Sequence, residues 1–390
     1  MYDIVGDIHG YADELELLLA KLDYQRKNGI WQHSERTLIS VGDLIDRGPQ
    51  QKRAVDIIRA MTANGFAKTI MGNHEFNAVA YYVRDKNGEP LRAHTVKNRQ
   101  QHLAFLNEAE AIPTWYHEAI SLFKQLPVLL DLPELRVVHA CWHPASVEVL
   151  KDYCTDNFTL KASYLKQAND SAHPLYHALE VLMKGWELSL PEGVSFNDKD
   201  GHKRDKIRTR WWLEQDGNYQ DLAIGVPDVS ILPTERVPSS QMPGYDNAKP
   251  LFIGQYWLHE SPEAVSAHIA CVDYSVAEQV ALVAYRFNRA SFDNANFVSV
   301  PTRPAGHYSA EQLNQAFYLA DPMQTCCVEN EITDEYQRIA EHARALLVER
   351  FAVYDAIEQA LIAAFDEDWV ESKHVIAAVS YTHLTLPTKA

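Results

Sequence analysis

The chain has 390 residues, 46% hydrophobic and 23% charged, an ordinary composition for one large folded domain or two smaller ones. Its 36 Lys and Arg against 53 Asp and Glu give a formal charge of −17. Such a surface repels nucleic acid and anionic membranes at long range, so neither is an expected partner, while bound divalent cations can still reverse the potential inside a site and admit a phosphate.

Asp3-Ile4-Val5 reads as a short strand ending at Gly6-Asp7. Leucines 15, 18, 19 and 22 recur at helical spacing across Tyr11 to Leu22. Thr37 to Val41 is a second strand ending at Gly42-Asp43, and Lys52 to Thr62 a helix with Val55, Ile58 and Met61 on one face. Ala67 to Met71 is a third strand ending at Gly72-Asn73. A strand, polar loop and helix repeated three times predicts an α/β sheet with its loops gathered at one end, beyond the carboxyl ends of the strands, where ligands bind. Residues 77 to 125 read as polar and helical, and Leu135 to Val138 as a fourth strand running into His139. From about 145 to 245 the pattern weakens, which suggests an insertion or cap. Strands resume at Leu251 to Ile253, His268 to Val272 and Val280 to Phe287, and 330 to 365 reads as an amphipathic helix or helix pair. From Val379 to Ala390 the pattern stops. Ser380 to Thr388 resembles a translated sequencing adapter, and we set this tail apart as non-native.

The three loops carry the chemistry. In Gly6-Asp7-Ile8-His9-Gly10 a carboxylate and an imidazole two residues apart can face one metal ion. In Gly42-Asp43-Leu44-Ile45-Asp46-Arg47-Gly48-Pro49, Asp43 has two oxygens to share between two ions, and Arg47 offers a planar fork to phosphate oxygens. In Gly72-Asn73-His74-Glu75, the Asn73 amide oxygen is a neutral ligand and His74 a candidate acid. Each motif alone has an ordinary explanation: a turn, a surface ion pair or a helix cap. Three in order, each after a predicted strand, do not.

Together these motifs resemble the signature of the calcineurin-like metallophosphoesterases. The Asp-Arg-Gly-Pro ending is similar to the phosphoprotein phosphatase branch, which includes bacterial Ser/Thr phosphatases and symmetrical diadenosine tetraphosphatases. The resemblance covers residues 1 to 145, with a weaker echo at 250 to 287. It implies a layered β-sandwich flanked by helices. It also implies two divalent ions, manganese first, with iron, zinc, nickel or cobalt as other ions that a mixed oxygen and nitrogen site takes. Asp7, His9 and Asp43 would hold one ion, and Asp43, Asn73 and His139 the other. His74, oriented by Asp46, would protonate the leaving group, and Arg47, with Asn73, would bind the phosphate. His143 is a substitute for His139, but lies deeper in the following loop.

The chain departs from the family at the last ligand. Gln255, in Gly254-Gln255-Tyr256, stands where Gly-His is expected. An amide oxygen is a poorer ligand than imidazole for a transition metal. Three readings follow: a second ion held more weakly, His259 or His268 filling the gap, or a non-catalytic relative.

The insertion holds a basic cluster of Lys203, Arg204, Lys206, Arg208 and Arg210, fit for a polyphosphate or simply solvated, followed by Trp211-Trp212, fit for base stacking or for core packing. The expected organisation is a metallophosphoesterase domain over 1–300 with the insertion at 145–245, a helical extension over 305–378, and the tail 379–390. The expected activity is hydrolysis, by metal-activated hydroxide, of a phosphomonoester or phosphoanhydride on a phosphorylated small molecule or a phosphoprotein. The alternative is an inactive phosphatase-like binding protein. Five cysteines without C-x-x-C spacing suit a reducing compartment, and no apolar run approaches the roughly 20 residues of a bilayer span, so the cytoplasm is the expected location.

Overall fold

The computed structural model describes residues 1–197, 202–213, 217–278, 280–288, 292–302, 308–348 and 353–381. Two sheets face each other. The first runs in the order Phe297–Pro301, Ala281–Phe287, Tyr2–Val5, Thr37–Ser40, Ala67–Thr69. Its last three strands pair in parallel, and Ala281–Phe287 pairs antiparallel to Tyr2–Val5. The second sheet runs Ile269–Cys271, Leu251–Ile253, Arg136–Val138, Leu129–Asp131. Between them Ile4, Ile39, Val41 and Ile70 of the first sheet meet Val137, Phe252 and Val272 of the second in one buried cluster. This is a layered β-sandwich: both sheets are apolar on the shared face, so neither is stable without the other.

Helices cover the outer faces. The leucines of Ala12–Lys21 are buried, as are Val55, Ile58 and Met61 of Gln51–Ala63. The polar stretch after Asn73 forms four helices, Asn73–Tyr82, Val96–Gln101, Leu103–Ala111 and Pro113–Phe123, with Phe105, Trp115, Ile120 and Phe123 turned inward. Residues 145–245 contribute the helix Pro174–Lys184 and a separate three-stranded sheet ordered Ala223–Ile224, Lys206–Thr209, Glu187–Ser189 around its own small core. Near the end of the chain, Ala310–Ala320, Gln337–Val348, Val353–Phe365 and Ser372–Tyr381 are helical. Val379, where the expected tail begins, is buried within the last of these, and 382–390 lie outside the described residues.

Both sheets end in loops at the same edge. His139 follows the second-sheet strand Arg136–Val138, and Gly254-Gln255 follows Leu251–Ile253. Asp7, Asp43 and Asn73 follow the three parallel strands of the first sheet. Residues far apart in sequence are therefore carried to one place by strand ends.

Candidate functional site

Asp7, His9, Asp43, Asp46, His139 and Gln255 are all at most 5% exposed. Burying three carboxylates and two imidazoles costs heavily unless their charges are matched. The backbone is bent to bring them together. His9, Asp43, Asp46, Arg47 and Gln255 all have positive φ, between 50° and 82°, a strain tolerated where the surroundings hold it. Glycine provides the close approach: a Cβ on Gly72 would lie 2.1 Å from Asp43 Oδ1, and one on Gly254 2.2 Å from Asp7 Oδ1. Any side chain at either position would displace a carboxylate.

The two buried histidines are aimed in the same way. Nδ1 of His9 donates to the Ile45 carbonyl at 2.8 Å and Nδ1 of His139 to the Val41 carbonyl at 2.7 Å. That leaves Nε2 of each facing the cluster, the tautomer a metal ligand needs. His139 Nε2 lies 3.0 Å from Asn73 Oδ1, 2.9 Å from Gln255 Oε1 and 3.3 Å from Asp43 Oδ2. Three oxygens and a nitrogen lone pair converging on one point repel one another unless a cation or a proton sits among them. His9 Nε2 stands 4.0 Å from Asp7 Oδ2 and 3.9 Å from Asp43 Oδ2, and both it and Asp7 Oδ1 are buried without a hydrogen-bond partner.

The titration pattern has the same cause. Burial, then Asp273 beside it, pushes the Asp7 carboxyl well up, and burial raises Asp273 to about 6. Burial and Asp43 push Glu75 up to about 7. His139 rises to about 10: burial opposes its charge, but Asp43 and Asp7 outweigh it. The shared cause is unbalanced negative charge in a buried site, and divalent cations relieve it by displacing protons from such ligands. The donor set of carboxylate, imidazole and amide oxygen fits two such ions.

Two groups of potential ligands lie within reach of a single ion each among the described residues. His9, Asp43 and His74 form one triad and Asp7, Asp43 and His139 the other, with all ligand atoms of each within 4.8 Å of one another. Asp43 is common to both, and Asp7 Oδ2, placed in the second triad, also stands 4.0 Å from His9 Nε2 of the first. Gln255 presents its oxygen at the second triad. His259 pairs with Glu278 at 2.9 Å on the surface, and neither it nor His268 joins a triad among the described residues. His143 bonds Ser146 instead.

His74 Nδ1 is 2.6 Å from Asp46 Oδ2, so the ring is pinned with Nε2 toward the cluster, 3.8 Å from Asp43 Oδ2. Asp46 is itself held by partners that the motifs do not reveal. His102 Nδ1 approaches both its oxygens at 2.9 and 3.0 Å, and its backbone N–H donates to Gln51 Oε1. Glu75, quoted in the third motif but given no role there, accepts from the backbone N–H groups of Asp43, Leu44 and Gly72 and ties the second and third motif loops together. Asp273 accepts from Trp257 and Ser275 N–H and sets the loop that carries Gln255. His102 lies 56 residues from Asp46, beyond any local pattern, whereas Asp273 lies 18 from Gln255 but follows the strand Ile269–Cys271 by two residues, the strand-end position that Asp7 also occupies. Above the ligands opens a cavity of about 500 Å³ lined by Asp46, Arg47, Asn73, His74 and Gln255. Lys184, Arg204 and Arg208, from the stretch 145–245, line it as well.

Trp211 and Trp212 are 3% and 5% exposed, and Trp211 Nε1 donates to the Tyr256 hydroxyl at 2.8 Å. They pack in the core, which overturns the base-stacking option for this pair.

Residues 2–158 match the calcineurin-like phosphoesterase family. An asymmetrical bis(5'-nucleosyl)-tetraphosphatase of Oceanobacillus iheyensis is 32% identical over 181 residues, 44% of this chain and 68% of that one. The chain belongs to the calcineurin-like phosphoesterase family. A symmetrical bis(5'-nucleosyl)-tetraphosphatase of Shewanella baltica is 30% identical over 38% of this chain, and the match spans only about half of that relative, 47%. A protein serine/threonine phosphatase structure from Saccharomyces cerevisiae aligns over 79% of this chain and 81% of its own, at 13% identity and a TM-score of 0.43. Membership makes this a metal-dependent phosphoesterase scaffold, and the cluster at the strand ends is where calcineurin-like phosphoesterase chemistry would be placed.

Proposed function

We propose that this site hydrolyses a phosphomonoester or phosphoanhydride, with Asp7, His9, Asp43, Asn73, His139 and Gln255 holding two divalent cations. Manganese is the first expectation from the family resemblance, and the mixed oxygen and nitrogen donors also accept iron, zinc, nickel or cobalt. The observation that carries the reading is the convergence of Asp43, Asn73 and Gln255 oxygens on His139 Nε2 within 3.3 Å. When bound, such ions make a water acidic and offset charge on the phosphoryl oxygens.

The chain's own residues would do the rest. Arg47, which lines the cavity, would offer its planar guanidinium to phosphoryl oxygens. Asn73 opens the helix Asn73–Tyr82, whose N-terminus favours an anion. His74 is buried, which disfavours its charge, but Asp43 and Asp46 together raise its affinity for a proton. It would carry that proton at Nε2 while Asp46 holds Nδ1. As the water oxygen bonds to phosphorus and the ester or anhydride P–O bond breaks, the departing oxygen takes the His74 proton. The substrate would be a nucleoside polyphosphate, as the tetraphosphatase relatives are named for, or a phosphoprotein, which suits the motif ending Asp-Arg-Gly-Pro. All five cysteines are free, which fits the proposed cytoplasmic location. Among the described residues no helix is long and apolar enough to cross a membrane.

The test is turnover of p-nitrophenyl phosphate after chelator treatment and reloading with manganese, nickel, iron or zinc separately. Activity is expected with at least manganese and absent without metal. Silence with all four rejects the reading. The inactive-relative alternative draws on Gln255 alone. Gln255→His, which adds an imidazole at the same loop position, is expected to tighten the weaker ion by about tenfold. Unchanged metal affinity and unchanged turnover in that variant would remove Gln255 from the ligand set.

A further inference from the structure

A second cavity, of about 660 Å³, adjoins the first. Arg204, Arg208 and Trp257 line both. The two differ in character. Among the described residues, the catalytic cavity is lined by six cations, Arg47, Arg92, Lys97, Lys184, Arg204 and Arg208, against one carboxylate, Asp46. In a chain of net charge −17 that is a strong local reversal, and it suits a ligand with several negative charges. The second cavity is balanced: Arg204, Lys206, Arg208 and Arg210 face Glu187, Asp205, Glu260 and Glu278. Its apolar wall is Phe196, Ile224, Tyr256 and Leu258. A neutral, partly apolar group with hydroxyl and amino donors fits there, and a further phosphate does not.

The boundary is built on firm elements. Arg208 lies on Lys206–Thr209, the central strand of the insertion's sheet, paired with Ile224 on one side and Glu187 on the other. Trp257 follows Gln255 by two residues, and its backbone N–H is anchored at 2.8 Å on Asp273. One loop therefore carries both a candidate metal ligand and the aromatic ring at the junction.

We propose that this chain takes a nucleoside polyphosphate whose scissile phosphate lies at Asn73 and His74, whose next phosphates pass Arg204 and Arg208, and whose nucleoside occupies the second cavity against Trp257. The assignment rests on the phosphoesterase reading above and makes Trp257, not Trp211 or Trp212, the base-stacking residue. Hydrolysis adds one water across one anhydride: its oxygen forms the new P–O bond, the bridging P–O bond breaks, and the departing phosphate oxygen takes the proton.

The experiment is steady-state kinetics of the full, manganese-loaded chain on diadenosine tetraphosphate, inorganic tripolyphosphate, a phosphoserine peptide and p-nitrophenyl phosphate. Diadenosine tetraphosphate is expected to be the best substrate. Base stacking on one aromatic residue accounts for about tenfold in binding, so Trp257→Ala is expected to raise KM for diadenosine tetraphosphate by about tenfold and to lower its kcat/KM relative to tripolyphosphate by a similar factor. Trp257→Phe should restore most of the loss. Arg204→Ala with Arg208→Ala is expected to raise KM for both polyphosphates more than for p-nitrophenyl phosphate. Inhibition of the wild type needs no variant to fold: ADP should compete better than pyrophosphate. ADP no better than pyrophosphate, Trp257→Ala lowering both polyphosphates equally, or preference for the phosphopeptide overturns the nucleoside assignment and leaves the phosphoesterase standing. A wild type inert on all four substrates overturns both.

Discussion

If Asp43 is the ligand that two ions share, as proposed above, Asp43→Asn is expected to lower kcat/KM on p-nitrophenyl phosphate by about 10³-fold or more. Asp43 Oδ2 lies 3.3 Å from His139 Nε2, 3.9 Å from His9 Nε2 and 3.8 Å from His74 Nε2, and Oδ1 accepts from the His74 N–H at 3.0 Å. The carboxylate is held strongly ionised: burial opposes its charge, but His139 and His74 beside it win. Asparagine has the same shape, so Gly72 still fits against it, but it brings one oxygen where there were two and places N–H donors among ligands. It also removes the negative charge that most favours a divalent ion at this point. Elemental analysis after metal loading should fall from two ions per chain to about one or fewer. A folded Asp43→Asn protein that keeps two ions, with kcat/KM within about tenfold of the wild type, would show that the two sites do not share this residue.

The legible and illegible parts of this chain separate by range. Asp7, Asp43 and Asn73 sit two, three and four residues past the strands Tyr2–Val5, Thr37–Ser40 and Ala67–Thr69, so a short hydrophobic run followed by a Gly-polar pair is enough to set them side by side in a parallel sheet. The observed strands Tyr2–Val5, Thr37–Ser40 and Ala67–Thr69 lie within two residues of the expected ones. Gln255 falls in the same register, two residues after the strand Leu251–Ile253, and its Oε1 lies 2.9 Å from His139 Nε2. Asp273 carries the same strand-end signal, two residues past Ile269–Cys271, but without a glycine before it to mark the turn. His102 carries none: it closes the polar run Lys97 to Gln101, and its part appears only when its segment packs beside Asp46. The strand Leu129–Asp131 is too short for periodicity to register, and Phe297–Pro301 is completed by pairing with Ala281–Phe287. One miss had a local signal: Asn28-Gly29, both at positive φ, turns the hairpin of Gln25–Lys27 and Ile30–Gln32, and Asn-Gly between two short strands is the strongest short-range hairpin cue. The tryptophans show the limit of composition. Trp211 and Trp212 draw the eye as a pair beside basic residues, yet they are buried, and the ring at the cavity junction is the solitary Trp257.

His74→Asn separates acid catalysis from metal chemistry, because its effect should depend on the leaving group. General acids contribute about 10²–10⁴-fold where the departing oxygen needs a proton and far less where it leaves readily as an anion. The loss in kcat/KM should therefore reach that range for an alkyl phosphate and shrink toward about tenfold or less for p-nitrophenyl phosphate. Asp46→Asn leaves the imidazole in place but weakens the group that aligns it. His102, at 2.9 Å, retains an acceptor, as does His74, so the ring keeps a partner without the full charge. Its loss should be smaller, about 10–100-fold on the alkyl ester. Metal content is the control. His74 Nε2 lies close enough to His9 and Asp43 to belong to one of the two triads, so a ligand role competes with the acid role. An acid-only His74 predicts unchanged metal stoichiometry and a loss that tracks the leaving group. A His74→Asn protein that loses one ion and slows equally on both esters would reassign the residue from proton donor to metal ligand, and the proton would then have to come from water in the cavity.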